Sequence, residues 1–255
     1  MSTVTAFRPP PSPQQLSEAE VRVELAACYR LVAHFGMDDL VFTHISARVP
    51  GTHDRFFINP YGLHFSEITA SSLVKIDLDG NVVEDNGHPV NKAGFVIHSA
   101  IHAARPDVAC VLHTHTRSGV AVSCLAEGLL PLNQFSLQFY NRVAYHDYEG
   151  VALDLDERQR LVADLGDKRV MILRNHGLLT AGRTIPEAFS LMYYLNESCR
   201  VQIEVMASGG KIHQVGGQVA EKTARQFDRD DMPGGQREWP ALLRLLDRKD
   251  PSYRQ

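Results

Sequence analysis

Two histidines one residue apart close an apolar run in VLHTHTRSG, residues 111–119. On a strand, side chains at i and i+2 share a face, with a rise of about 3.3 Å per residue. His113 and His115 can therefore present two ring nitrogens to one ion while Thr114 turns the other way. His176 is the candidate for a third donor, because it ends the apolar run VMILRN and precedes Gly177, where a buried strand emerges beside a flexible turn. Three neutral imidazoles and an open position suit a catalytic divalent metal, which must keep room for water or substrate. Spacing alone leaves a second reading open. The chain has 12 histidines, and a histidine at a strand end also serves as a hydrogen-bonded core or rim residue.

These residues need a scaffold, and its elements are marked along the chain. SEAE at Ser17–Glu20 reads as a capping box, and Val21, Leu25, Tyr29 and Val32 follow at helical spacing toward Gly36. HISARV, RFFIN and LVKIDL, separated by PGTHD, NPYG and DGN, read as hairpins of an antiparallel meander. KAGFVIHSAIHAA returns to helical period until Arg105-Pro106-Asp107 stops it, and the strand VACVLHTH follows. Beyond lie a short helix SGVAVSCLA, a strand NRVAYHDYEG, a helix ERQRLVADLG, the buried strand RVMILRNHG and a long helix from Pro186 to Ser208. EWPALLRLLDR can dock as a last helix. Helices and antiparallel strands mix without βαβ alternation, which predicts an α/β fold with helices on the faces of a mainly antiparallel sheet. The expected organisation is an N-terminal arm over 1–15, one domain over 16–210 and a C-terminal tail over 211–255.

Composition narrows the partners. A net charge of −4 over 255 residues, with both signs scattered, gives no basic footprint for nucleic acid or membrane. Apolar runs stay short of the ~18 residues that span a bilayer, and the proline-rich start FRPPPSPQQ is not a leader, so a cytoplasmic protein is expected. Cys28, Cys110, Cys124 and Cys199 lie far apart in apolar segments and are expected to be reduced core residues.

Taken together, KAGFVIHSAIHAARPDVACVLHTHTRSGVAVS, LPLNQFSLQFY and VMILRNHGLLTAGRTIPEAFSLMYYL resemble the class II aldolase/adducin family in order and spacing. The likeness runs over roughly residues 17–210, and THISARVP, INPYG and EITASSLVKIDLDGNV look closer to its adducin-like branch. The resemblance implies a three-layer α/β/α fold and a homotetramer with sites near subunit interfaces. It also implies one divalent metal per subunit, zinc before Fe(II), held by His113, His115 and His176. In the aldolases that metal stabilises an enolate during C–C cleavage.

The chain departs from the aldolase pattern at several points. The glutamate acid/base four residues before His98 is replaced by Gly94, which shuttles no proton. The phosphate-cradling positions read His44, Lys92 and Ala93, so a sugar phosphate is disfavoured, while Lys92 and His44 can receive a carboxylate. His44, Lys92 and Tyr140 are the candidates for moving protons, and Lys92 and Arg117 for binding an acidic substrate. Tyr253 reads as a mobile tail residue, His98 and His102 as satisfied interior or interface residues, and His53, His64 and His88 as solvated. Asn175 is expected to orient the turn that presents His176.

Three functions follow. The preferred one is a lyase or decarboxylase acting on a small oxygenated, carboxylated, non-phosphorylated molecule through a metal-stabilised enolate. The second is a three-histidine Fe(II) oxygenase on a 2-oxo acid, and the third a non-catalytic scaffold like adducin. Retained histidine ligands weigh against the scaffold.

Overall fold

The computed structural model describes residues 16–150, 157–228 and 233–255, with only the backbone described at 92–95. The expected N-terminal arm lies outside the described residues. Helix α1 (Glu18–His34) begins at the foreseen capping box: Ser17 Oγ accepts from the Glu20 amide, and a Glu20 carboxylate oxygen accepts from the Ser17 amide at 2.7 Å. Four strands then form the meander, β1 (His44–Arg48), β2 (Arg55–Ile58), β3 (Val74–Asp77) and β4 (Val82–Glu84). At the DGN turn, Asp77 accepts from the amides of Asp79 and Asn81, and Gly80 takes φ +82°.

Helix α2 (Lys92–Ala104) leads into β5 (Cys110–Thr114), followed by α3 (Arg117–Ser123), α4 (Gln134–Leu137), β6 (Val143–His146), α5 (Glu157–Leu165), β7 (Val170–Leu173), β8 (Gly177–Gly182) and α6 (Ile185–Ala207). The chain ends in α7 (Gly217–Phe227), α8 (Trp239–Lys249) and a 3-10 turn at Pro251–Arg254. The eight strands form one sheet in the order β4-β3-β2-β1-β5-β8-β7-β6. Every pairing is antiparallel except β6 with β7.

Strand alternation sorts the core into two layers. Ile45, Cys110, Leu112, Ile172 and Leu178 pack with α1, α6 and Trp239 on one face. Val111, Met171, Leu173, Leu179 and Ala181 pack with α2 and α5 on the other. This is the three-layer α/β/α arrangement with a mainly antiparallel sheet.

Some local expectations need correcting. The segment GLLTAG, which carries no strand signal, is β8, and it lies in mid-sheet between β5 and β7. Helices α4 and α7 were also not foreseen. Tyr253 is fully buried, donates to Asp247 at 2.8 Å, and its carbonyl accepts from the Ala70 amide, so it is a core residue and not a mobile tail. Cys124 is exposed, unlike the other three cysteines. His64 is not simply solvated: it caps the turn at Phe65–Glu67 and meets Asp38 at 2.8 Å.

Candidate metal centre

His113 lies on β5 and His115 one residue beyond its end, so their rings share the α2 face, while Thr114 turns toward Met192 of α6 on the other. His176 comes from the tight β7–β8 hairpin, in which Leu173 pairs with Gly177. The hairpin is closed by Asn175 at φ +56°, a left-handed conformation that asparagine tolerates. Gly177 has to be glycine: a Cβ there would stand 2.4 Å from the Thr114 carbonyl oxygen and 3.2–3.3 Å from the His115 and His113 rings. The turn and the strand end thereby close on each other.

The three Nε2 atoms converge. His115 Nε2 lies 2.9 Å from that of His113 and 3.0 Å from that of His176, and all three fall within 4.8 Å of one another. His113 Nδ1 donates to the Leu178 carbonyl at 2.9 Å, and His115 Nδ1 meets the Asp39 carboxylate at 2.9 Å. Both partners are acceptors, so each ring carries a proton on Nδ1 and leaves Nε2 to its neighbours. Burial, reinforced by the neighbouring imidazoles, holds His113 well below the usual histidine range and His176 at about 4. Lone pairs that close repel unless a positive charge lies among them, and a metal ion is a charge that three donors can share. Bonds of about 2.0–2.1 Å at angles near 90–110° put neighbouring donors roughly 2.8–3.4 Å apart, so the side chains fit a divalent ion.

Asp39 carries no sequence signal of its own. It sits in a loop held in an uncommon conformation, with Leu40 at φ +50° and Thr43 at φ +65°. Adjacent aspartates split their duties there, Asp38 to His64 and Asp39 to His115. The acidic pair Asp38-Asp39, three residues before THIS, is its trace in the sequence.

His44 pairs in register with His113 across β1 and β5 and so shares its face. Its Nδ1 meets Asn59 Oδ1 at 3.0 Å, and Asn59 is itself tied to Tyr29, whose hydroxyl accepts from the amides of Ile45 and Asn59. Burial holds His44 at about 4, partly offset by the Asn59 bond. It is therefore neutral, and with Nδ1 donating it presents a lone pair on Nε2.

The remaining candidates scatter. Lys92 opens α2, and its side chain lies outside the described residues. Arg117 opens α3 and lines a cavity of about 460 Å³ with Phe35, Asn196 and Arg200, a cavity none of the three histidines lines. Tyr140 precedes the start of β6, the end of that strand away from His146 and the His176 turn, and its hydroxyl packs on Gly217. Neither Arg117 nor Tyr140 joins the centre within one chain: Arg117 is carried off with α3 toward α6, and Tyr140 lies at the opposite end of the sheet.

Fold and donor set together define a class, and the chain belongs to the class II aldolase and adducin family: the Class II Aldolase and Adducin N-terminal domain matches residues 23–203. Among solved structures it is similar to an aldolase II superfamily protein from Pseudomonas syringae, 53% identical with a TM-score of 0.89 over 96% of this chain and 98% of that one. It is also similar to the L-fuculose 1-phosphate aldolase from Glaciozyma antarctica PI12, 30% identical with a TM-score of 0.85 over 98% and 97% of the two chains. Alpha-adducin of Rattus norvegicus is 41% identical over 90% of this chain, which spans 33% of that protein. No helix among the described residues is long and apolar enough to cross a membrane.

Proposed function

We propose that the protein is a metal-dependent lyase of the class II aldolase type, acting on a C–C bond of a small, oxygenated, non-phosphorylated hydroxy or oxo acid. The observation that carries this reading is the commitment of the His113 and His115 Nδ1 atoms to Leu178 and Asp39, which turns both Nε2 atoms toward His176. His113, His115 and His176 would hold a divalent ion, zinc before iron, which would supply Lewis-acid polarisation of a substrate carbonyl.

The chain's own residues supply the rest. Leu178 and Asp39 fix the tautomers, and His44 Nε2 accepts the proton that leaves a substrate hydroxyl as the C–C bond breaks. Asn59 steadies His44 by accepting the hydrogen bond from its Nδ1. Gly94 offers no proton carrier, which is why that work falls to His44. A neutral His44 gives a phosphate no charge to meet, which supports a non-phosphorylated substrate. Exposed Leu40, Phe42 and Tyr148, the last with its ring 6.3 Å from that of His176, support a site beside a subunit contact in a homotetramer.

Elemental analysis of protein purified without chelator tests the reading, coupled to an NMR screen of hydroxy and 2-oxo acids under argon. One zinc per chain with oxygen-independent C–C cleavage is the expected result. Iron with oxygen uptake would move the protein to the oxygenases. Absence of stoichiometric metal would overturn the enzyme in favour of an adducin-like scaffold.

A further inference from the structure

The end of the sheet away from the three histidines carries a cavity of about 540 Å³. His44, His113 and Leu178 lie at the metal end of β1, β5 and β8, and the cavity opens beyond the other ends of those strands, between Ala47–Pro50, Pro106–Ala109 and Arg183–Pro186. Strand β5 alone, Cys110–Thr114, puts about 13 Å between the two. The volume falls within the roughly 300–1,000 Å³ of small-molecule sites.

Helix α1 closes one side of the cavity with Val21 and Glu24, and much of the remaining wall is apolar, including the buried Val49, Val108 and Ile185. The charges on the lining are engaged within the chain, with one exception. Arg48 donates to the carbonyls of His53 and His102 at 2.7 and 2.6 Å, Asp107 accepts from Arg105 at 2.8 Å, and Arg183 meets Glu187 at 2.7 Å. His53 stands exposed on the rim. Glu24 is the exception: among the described residues no lysine, arginine or histidine pairs with it, and the other acid that acts on it, Glu20, repels it.

Burial pushes the Glu24 carboxyl up to about 7, with the Trp239 indole offsetting part of this and Glu20 adding to it. Cys28 on α1 and Cys110 on β5, the thiols that feel its charge, are themselves held neutral by burial. A carboxylate in apolar surroundings loses hydration that such walls do not return, and proteins rarely keep one without a counter-charge. A cation from outside the chain would supply it, and an apolar body behind that cation would cover the walls. An anion would be repelled by Glu24 and would find both lining arginines already engaged.

We propose that this cavity binds a small organic cation, a primary ammonium carried on an apolar chain or ring, with its head on Glu24 and its body against α1 and the ends of β1 and β8. The site is separate from the three-histidine centre and owes nothing to the lyase reading. Binding returns a counter-charge to Glu24, so a protonated Glu24 releases its proton to the buffer as the cation enters.

Calorimetry on the full chain tests it with 4-phenylbutylammonium and 4-phenylbutanol, probes that share a body and differ in charge. The ammonium should bind one per chain and about tenfold tighter than the alcohol or more at pH 8. Its affinity should rise about 30-fold from pH 5.5 to pH 8.5, because below about 7 Glu24 must first give up a proton. At pH 7, buffers of different ionisation enthalpy should report about half a proton released per cation bound. In Glu24→Gln the ammonium should lose its advantage over the alcohol and its rise with pH, while zinc content stays unchanged. Equal binding of the two probes by the wild-type chain, or no saturable binding of the ammonium, overturns the proposal. Proton release is read on the wild-type chain, so its absence overturns the proposal even if Glu24→Gln folds poorly.

Discussion

Two histidine sets lie on one face of the same sheet and serve opposite ends. His98 and His102 meet through Ser46, a hydroxyl that both donates and accepts, and the contact is settled by protons the chain already owns. His113, His115 and His176 meet Nε2 to Nε2 with nothing between them, and two of the three have given their Nδ1 to an acceptor. Residue type does not separate a structural imidazole from a metal ligand. What separates them is whether a polar group of the chain stands between the rings or whether the lone pairs are left facing each other.

Removing one ring from the open set should break the comparison most sharply. His115→Ala is expected to abolish stoichiometric metal retention, with an affinity loss beyond the roughly 10–100-fold that follows loss of an outer partner. Circular dichroism should stay that of the folded protein, because His115 lies beyond the end of β5 and outside the sheet's hydrogen-bonded register. A variant that still binds one metal per chain at full affinity would remove His115 from the ligand set.

The buried rings His102 and His44, one from the closed set and one from beside the open one, should announce themselves through pH. Burial holds His102 at about 3 and His44 at about 4, below the ordinary value of 6.5. At pH 5 both are neutral in the folded chain, whereas the unfolded chain has taken up their protons. The unfolded state then binds more protons, so stability rises with pH: it is complete above about pH 6.5 and is lost as pH falls toward 4 and 3. From pH 6.5 to pH 5 the two residues should together lower stability by about 3 kcal/mol. Urea unfolding of the metal-free protein at constant ionic strength measures this. An unchanged midpoint would mean that these rings are not held neutral.

How far the sequence reached depended on whether the signal was local. The HTH pair was legible because a period of two places both rings on one face, and Ser17 with Glu20 because a capping box needs four residues. Strand β8 was not legible. Its sequence GLLTAG has only one β-branched residue and a glycine at each end, and those glycines answer to contacts from elsewhere. Gly177 makes room for the His113 and His115 rings, and a Cβ on Gly182 would lie 2.5 Å from the Ala188 amide nitrogen. Helix α7 escaped notice because its contact with the core falls to Ala220 and Ala224, too small to mark a face. Tyr140 shows the opposite limit: a loose match along the chain says nothing about which end of a sheet a turn occupies, and within one chain it stands at the end away from His146.

Asp39 is the least legible part of the centre and the finest test of the contrast between the two sets. Its carboxylate reaches His115 Nδ1 only because the loop through Leu40 and Thr43 adopts left-handed angles. Asp39→Asn keeps the shape but replaces a group that only accepts with an amide that can turn either its oxygen or its NH₂ to the ring. The tautomer of His115 is then no longer fixed by charge. Zinc affinity should fall about 10–100-fold, the usual effect of losing an outer partner, while one zinc still binds at saturating metal. The same substitution should leave the tautomer of His98 untouched, since that ring is held by Ser46 and, beyond it, His102. If Asp39→Asn instead shifted His98, the two sets would be one network, and the distinction between rings joined by the chain's own protons and rings left open for a cation would have to be given up.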